Sequence, residues 1–236
     1  MTAVRSMRRL AIVRATVSAL LHRLARVRVT GLEHIPARGP CLLVFNQASV
    51  FDTPLLSVMV PRPDVTGLVA RDYRTNPFYR LLVESGGGMW IRRRTGDRAA
   101  LRAALDALAR GWVVGVSPEG RRSPTGALVH GLPGPAFLAR RARVPIVPVA
   151  FTGTDLIGAE LRRLRRATVT VRVGEPFVLP PMAGRLTREG RLDDTDRIMC
   201  RIAALLPPFR RGAYAGHPYL AARHGERARL HTGGRA

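Results

Sequence analysis

The chain has 236 residues, and 46% of them are hydrophobic. A chain of this length and composition can bury one sizeable core, which favours a single domain with short appendages. Its charge is unusual, because 39 basic residues outnumber 16 acidic ones and give a formal net charge of +23. All 39 are arginines. A surplus of this size favours a polyanionic partner: a membrane surface, a phosphorylated small molecule or a nucleic acid.

Several classes of protein are excluded by what the chain lacks. Its two cysteines, Cys41 and Cys200, do not have the spacing of metal ligands, so neither a zinc site nor a disulfide framework is supported. The sequence has no apolar run long enough to span a bilayer. Its N-terminus is basic but lacks an apolar stretch followed by a small-residue cleavage site, which argues against a signal peptide. We therefore expect a cytosolic or cytosol-facing protein.

Residues 1–27 have the periodicity of an amphipathic helix. Spacings of three and four place an apolar stripe on one face. The stripe consists of Leu10, Val13, Val17, Leu20, Leu21 and Leu24. One interpretation is a helix that docks this stripe on the domain. The other, which we favour, is a membrane-interface helix whose stripe enters the acyl region while arginines contact anionic headgroups; the two roles are compatible.

From residue 28 the sequence alternates between strand and helix patterns. The predicted strands are 27–29, 41–45, 65–70, 88–92, 112–116, 145–151 and 168–173. The predicted helices are 53–60, 76–84, 97–109, 134–142 and 195–206. Apolar runs such as 113–116 are typical of central strands that are covered on both faces. The alternation predicts one α/β domain over 28–208, with a mixed, largely parallel central sheet flanked by helices.

The C-terminal segment has a different composition. After Pro207 and Pro208 the chain becomes rich in Arg, Gly and His and poor in large apolar residues. Residues 209–236 are therefore predicted to form a basic, mobile C-terminal tail.

Four segments at or near predicted strand ends carry the candidate chemistry. The first is Asn46-Gln47-Ala48-Ser49-Val50-Phe51-Asp52, and the second is Gly87-Gly88-Met89-Trp90-Ile91-Arg92-Arg93. The third is Ser117-Pro118-Glu119-Gly120-Arg121-Arg122-Ser123, and the fourth is Val144-Pro145-Ile146-Val147-Pro148-Val149. Loops at the edge of an α/β sheet are where ligand sites gather, so we expect these segments to converge.

In order and approximate spacing, these segments resemble the signature of the glycerolipid acyltransferases. There the first segment has Asn-His, four residues and Asp, the second has Gly-x-x-Phe-Ile-x-Arg, and the third has Phe-Pro-Glu-Gly-Thr-Arg-Ser. The resemblance covers roughly residues 30–153. It implies that an acyl chain moves from acyl-CoA or an acyl carrier protein to the hydroxyl of a lysophospholipid, with lysophosphatidate typical. It implies no cofactor other than this donor substrate.

The resemblance also implies that the second and third segments hold the phosphate part of the acceptor. Arg93 and Arg122 offer planar, forked donors that suit a phosphate group. Glu119 would orient Arg122 or an acceptor hydroxyl, and Gly120 allows a close backbone approach or a positive φ. The alternative is that both arginines are ordinary surface charges on an arginine-rich protein.

Gln47 stands where the family has the histidine that takes the proton from the acceptor hydroxyl, and Asp52 stands where the family aspartate orients that histidine. A carboxamide cannot act as a general base at neutral pH. Three interpretations remain open. The protein is inactive or very slow and binds lipid or acyl carrier; Asp52 takes the proton itself, with a pKa raised by desolvation; or another histidine substitutes, His130 being nearest the third segment. Asp52 has a simpler alternative as a helix cap.

The leading hypothesis is a peripheral acyltransferase at the cytoplasmic face of the cell membrane, acting in phospholipid biosynthesis. Its partners would be an anionic membrane surface, a lysophospholipid, and acyl-CoA or an acidic acyl carrier protein. The alternative is a catalytically inactive homologue that binds lipid or acyl carrier. Specific nucleic-acid binding rests on charge alone, because no recognition motif accompanies it and only 6% of the residues are aromatic.

Overall fold

A computed structural model describes residues 2–93, 95–181 and 187–221, with side chains described from Leu10 onward. The strands are β1 Ala25–Thr30, β2 Cys41–Phe45, β3 Val65–Ala70, β4 Met89–Ile91, β5 Val113–Val116, β6 Ile146–Thr152 and β7 Ala167–Val173. The helices are α1 Thr2–Leu24, α2 Asp52–Met59, α3 Pro77–Ser85, α4 Arg98–Ala109, α5 Gly134–Ala142, α6 Ile157–Arg162 and α7 Arg188–Ala203. Short 3₁₀ turns follow several of them, including Thr154–Leu156 after β6.

The strands form one seven-stranded sheet in the order β1-β7-β6-β2-β5-β3-β4. All neighbouring pairs are parallel except β6 and β7. β1 and β7 therefore run opposite to the other five strands. The predicted fold, one α/β domain with a mixed, mostly parallel sheet, is confirmed. Because β2, β5 and β6 are adjacent and parallel, the loops that leave their carboxyl ends meet at the middle of one edge.

The sheet buries both of its faces. Every residue of β2 is buried, as expected for a central strand. Alternate residues point to opposite sides: Leu42 and Val44 pack into the core beneath α4, α5 and α7, while Leu43 and Phe45 pack into the core beneath α1 and α2. The strand that ends at the first segment is thus held on both sides.

Capping side chains set the starts of two helices. Asp97 accepts from the Ala100 N–H at 3.2 Å, as its sequence position before α4 predicts. Asn76 accepts from the first N–H groups of α3. Two helical features differ from expectation: α6 was not predicted, and α7 begins at Arg188 rather than at residue 195. The first turns of α7 are polar, so its apolar pattern begins later than the helix itself.

The apolar stripe of α1 docks on the domain. Val17 and Leu21 are buried in the core that α1 shares with α2. Arg14 donates to the carbonyl oxygens of Val60 and Arg62, which ties α1 to the loop after α2. The helix ends at Leu24, because the chain from Ala25 pairs with β7. The docking interpretation therefore holds, while the role at a membrane interface stays a prediction.

Within the described residues, no helix combines the length and the apolar character needed to cross a bilayer.

The prediction of a tail that starts at residue 209 is corrected. Tyr214 and Leu220 are each only 2% exposed and belong to the core. The segment also pairs with the loop after β5, because the Leu128 N–H donates to Arg210 and the Ala213 N–H donates to Leu128. Two buried anchors and these backbone bonds suffice to order a stretch of low overall hydrophobicity. The rest of the predicted tail, 222–236, lies outside the described residues.

Candidate functional site

The carboxyl end of β2 is joined to β6 by the side chain of Asn46. Its amide nitrogen donates to the Phe151 carbonyl at 3.0 Å, and its oxygen accepts from the Phe151 N–H at 2.7 Å. Asn46 is 2% exposed. This two-way contact aligns the first segment with the loop after β6, which carries Thr154 and Asp155. The motif alone does not predict this role for Asn46, although its position at a strand end is a signal.

Gln47 is held by its backbone between two parts of the third segment. Its N–H donates to Glu119 Oε1 at 2.8 Å, and its carbonyl accepts from the Ser123 N–H at 2.8 Å. The first and third segments therefore converge as predicted. Gln47 also lines the cavity described below.

Glu119 is buried and has two backbone partners. Its second oxygen, Oε2, accepts from the Val129 N–H at 3.0 Å. Burial raises the pKa of this carboxyl group to about 7, against the opposing effect of the two N–H groups and of the Arg121 charge. Here Glu119 fixes the backbone of Gln47 and of the loop after β5. Its predicted contact with the acceptor stays a prediction.

Asp52, the first residue of α2, is fully buried. Its Oδ2 accepts from the Ser49 N–H at 2.6 Å, so the carboxylate closes the turn before the helix and does not cap the helix. Burial raises the pKa of Asp52 to about 7, while the neighbouring Thr154 hydroxyl and the N–H groups of Ser49 and Ala48 oppose that rise. The other oxygen, Oδ1, is buried without a hydrogen-bond partner among the described residues.

A charged residue in the loop after β6 also affects the pKa of Asp52. The negative charge of Asp155 also raises the pKa of Asp52. Asp155 is itself paired with Arg210, whose Nη2 lies 2.7 Å from Asp155 Oδ2. Arg210 also donates to the Thr125 carbonyl. The sequence does not predict this pair, because Arg210 lies in the segment whose composition predicts a mobile tail.

The first, second and third segments enclose a cavity of about 110 Å³. Gln47, Arg93 and Gly120 line it, together with apolar side chains that include Leu68 and Leu132. Gly120 has a φ of +61°, and a Cβ built there would lie 2.5 Å from Leu132 Cδ1. A larger residue here would be strained by the positive φ and would require Leu132 to move, so the position favours glycine.

A second, apolar cavity of about 70 Å³ adjoins the first and shares Phe45 and Leu68 with it. Four glycines line this cavity: Gly67, Gly86, Gly88 and Gly115. Cβ atoms built at Gly67, Gly88 and Gly115 would lie less than 3.0 Å from neighbouring atoms. These glycines thus allow neighbouring backbone and side chains to pack closely around an apolar cleft beside the polar cavity.

The two predicted phosphate-binding arginines have different positions. Arg93 lines the cavity, with its guanidinium 5.4 Å from the Tyr73 ring centroid and Nη1 3.4 Å from Asp72 Oδ2. Arg122 is exposed and is not among the described residues that line the cavity.

Arg122 nevertheless lies close to the first segment. Burial raises the pKa of Tyr79, and the Arg122 charge opposes that rise. The Tyr79 hydroxyl donates to the carbonyl of Val50. Arg122 is therefore within electrostatic reach of the loop that contains Asp52, at the rim of the site.

None of the four histidines in the described part of the chain lines this cavity. His130 is exposed, and its ring centroid lies 6.1 Å from that of Tyr214. His224 and His231 lie outside the described residues. Within the described structure, the position of the expected base is therefore occupied by Gln47 alone.

Fold and site together define a protein of the acyltransferase class: a mixed α/β sheet whose carboxyl edge joins an Asn-Gln…Asp loop to a Pro-Glu-Gly turn. Residues 26–152 match the acyltransferase family, and this range contains all four segments. The chain belongs to the acyltransferase family.

Three proteins illustrate the similarity. A 1-acyl-sn-glycerol-3-phosphate acyltransferase alpha of Ovis aries is 30% identical over 198 residues, which cover 78% of this chain and 63% of the relative. A lyso-ornithine lipid O-acyltransferase of Pseudomonas aeruginosa is 32% identical over 169 residues, covering 64% of this chain and 63% of the relative. The crystal structure of the 1-acyl-sn-glycerophosphate acyltransferase PlsC from Thermotoga maritima has a TM-score of 0.61 at 23% identity, covering 80% and 76% of the two chains. The match spans less than two thirds of the length of the curated relatives.

Proposed function

We propose that the protein transfers a fatty acyl chain from an acyl thioester to the hydroxyl of a lysophospholipid such as lysophosphatidate, at a membrane surface, in phospholipid biosynthesis. The observation that carries the proposal is the cavity that brings Gln47, Arg93 and Gly120 together beside an apolar cleft. The names of the 1-acyl-sn-glycerol-3-phosphate acyltransferase relatives support this acceptor.

Each part of the substrate has a matching surface. The Arg93 guanidinium presents paired donors for the acceptor phosphate. The apolar cleft takes the first part of an acyl chain, whose transfer from water is favourable. The Gln47 amide can hold either the acceptor hydroxyl or the oxygen of the thioester carbonyl, because it has both a donor and an acceptor.

Asp52 is fully buried and is not among the described residues that line the cavity, so the proton of the acceptor hydroxyl would have to reach it through a bridging water. Asp52 suits this role because burial raises its pKa to about 7 and its Oδ1 has no other partner among the described residues. The hydroxyl oxygen then attacks the thioester carbonyl, the C–S bond breaks, and the proton held by Asp52 leaves with the thiol.

The second candidate is a catalytically inactive homologue that binds lysophospholipid or acyl carrier. One observation favours it: the side chain that lines the cavity at the expected position of the base is an amide. A positioned general base contributes about 10²–10⁴-fold to such a reaction, so its absence alone accounts for a very slow or silent enzyme.

Transfer of a radiolabelled acyl group from acyl-CoA to lysophosphatidate in mixed vesicles tests the proposal. We expect slow transfer by the wild type, with kcat/KM rising with pH and levelling above about pH 7, because Asp52 must be ionised to accept a proton. Asp52→Asn should abolish transfer together with this pH dependence. Gln47→His should raise transfer by about 10²–10⁴-fold.

The outcomes separate the two candidates. A silent wild type that still binds lysophosphatidate, together with an active Gln47→His variant, would establish the inactive homologue. Wild-type transfer that Asp52→Asn leaves unchanged would place the chemistry elsewhere.

A further inference from the structure

A large open groove lies between α4 and α5, with a volume of about 910 Å³. Its floor is apolar and includes Leu101, Leu105 and Phe137, the last of which is 37% exposed. Its rim carries three arginines, namely Arg98 and Arg102 on α4 and Arg141 on α5. The groove thus combines an apolar floor with cationic walls.

The rim arginines are not neutralised. Arg98, Arg102 and Arg141 are exposed, and none of them forms an ion pair with a described residue. Asp106 is the only acidic residue among the described residues that line the groove. Arg140, the neighbour of Arg141, is by contrast paired with Asp194. Unpaired charges of one sign along a groove attract a partner of opposite charge.

The groove leads to the candidate site. Both α4 and α5 follow strands whose carboxyl ends form the site edge, so each helix starts beside the cavity and runs away from it. Leu101 lines both the groove and the cavity, and Gly134 and Pro135 at the start of α5 line the cavity. One end of the groove, at Leu101, therefore adjoins the cavity that contains Gln47 and Gly120.

We propose that this groove docks an acidic helix of the carrier protein that delivers the acyl group as a thioester. The proposal rests on the proposed function, since it takes the occupant to be the acyl donor.

The distribution of charge favours a helical protein over the nucleotide part of coenzyme A. Arg98 and Arg102 lie one helical turn apart on one wall, and Arg141 lies on the other, with an apolar strip between them. This arrangement complements an amphipathic helix whose acidic residues recur once per turn on both sides of its apolar stripe. The phosphates of a nucleotide would instead require donors gathered at one point.

Binding of a purified palmitoyl-acyl carrier protein to the full chain tests the docking site, with fluorescence anisotropy as the readout. Arg98→Glu/Arg102→Glu reverses two rim charges. The matched control, Arg162→Glu/Arg165→Glu, reverses two exposed arginines at and after the end of α6, whose Ile157 packs into the core on the other face of the sheet. Both variants change the net charge equally, and a thermal melt checks that each is folded.

We expect the groove variant to bind the carrier at least about tenfold more weakly at moderate salt, and the control to bind it within about twofold of wild type. Equal losses in both variants would show that net charge alone attracts the carrier and would overturn the docking site. Loss of coenzyme A binding with unchanged carrier binding would overturn it as well, in favour of a nucleotide site.

This readout does not depend on turnover. If the carrier binds through the groove but the wild type transfers no acyl group, the proposed function is wrong and the docking site stands. If the wild type transfers acyl groups but the groove variant binds the carrier as well as the wild type does, the proposed function stands and the docking site is wrong.

Discussion

Asp52 and Glu119 are both buried carboxyl groups with a raised pKa, yet their surroundings differ. Glu119 uses both oxygens to accept from backbone N–H groups, whereas Asp52 has one oxygen without a partner among the described residues. A buried charge that is not fully hydrogen-bonded is costly. Asp52 is therefore expected to reduce stability, as groups held for chemistry often do.

We predict that Asp52→Asn stabilises the fold, and increasingly so at higher pH. Burial raises the Asp52 pKa from 3.8 to about 7, so between these values the folded state holds a proton that the unfolded state releases. Wild-type stability should accordingly fall as the pH rises through this window. Asparagine does not ionise. Its oxygen can still accept from the Ser49 N–H, and its NH₂ group can donate to the neighbouring Thr154 hydroxyl. The expected gain at pH 8 is on the order of 2–4 kcal/mol, measured by urea unfolding at pH 5 and 8.

Glu119→Gln is the matched comparison. An amide has one accepting oxygen, so its NH₂ group would face the N–H of either Gln47 or Val129, and an unsatisfied buried donor costs about 1–3 kcal/mol. We expect this variant to be about 2 kcal/mol less stable than Asp52→Asn at pH 8. Equal stability of the two variants would mean that the hydrogen bonds of Glu119 contribute nothing beyond its ionisation.

At this scale the sequence identified residues better than it identified their roles. The motif positions indicated that Gln47, Arg93 and Gly120 belong to one site, and they line one cavity. The complete burial of Asp52 and the exposure of Arg122 depend on how separate loops pack, which local patterns do not encode. The link from Glu119 to Val129 likewise arises only when the loop after β5 folds back.

At the scale of elements, the C-terminal segment 208–221 acts as a brace for the loops of the site. It pairs with Leu128 in the loop after β5, and the Tyr214 hydroxyl accepts from the Gly131 N–H at 3.0 Å. Arg210 bridges that loop to the loop after β6 through Thr125 and Asp155. The two loops that surround Asp52 are thus tied together from outside the sheet.

We predict that Arg210→Met destabilises the protein by about 1–3 kcal/mol, because it leaves the mostly buried Asp155 without its cation. The uncompensated Asp155 charge should also raise the pKa of Asp52 further. The pH at which acyl transfer levels off should therefore move upward. Urea unfolding and the pH profile of kcat/KM measure the two effects.

Arg163→Met is the control, because it removes an ion pair to Glu160 in which the arginine side chain is 69% exposed. Such a pair contributes at most about 1 kcal/mol, and we expect no change in the pH profile. An Arg210→Met variant with the wild-type profile would show that the brace acts on stability alone.

Most of the strands and helices could be predicted from the sequence. All seven predicted strands are present with small shifts of their ends, because the central strands are continuous apolar runs while β1 and β7 alternate buried with more exposed residues. The ordered C-terminal brace could not be predicted from the sequence. Its order comes from tertiary contacts of Tyr214, Leu220 and Arg210, in a stretch whose composition alone indicates disorder.

At the scale of the whole molecule, the net charge of +23 and the placement of α1 both bear on whether the protein binds a membrane surface. The inner face of α1 is occupied by the core, but Ile12 and Leu20 remain 66% and 45% exposed. Apolar side chains on a surface this cationic suit an anionic membrane, where arginines contact headgroups and the apolar residues enter the acyl boundary. The docked helix is therefore compatible with the membrane-interface hypothesis.

We predict that Ile12→Ser/Leu20→Ser reduces binding to vesicles of anionic phospholipid by about tenfold or more, because each side chain loses part of its transfer free energy. Deleting the helix would be a poorer test, since it would also uncover the core around Val17. The control is Val178→Ser/Leu192→Ser, two residues that are 69% and 49% exposed at sites remote from α1 in the sequence. Cosedimentation with the vesicles at low and moderate salt measures the effect. Equal cosedimentation of both variants and the wild type would leave only the arginine surplus to hold the protein at a membrane, and α1 would then be a purely structural helix.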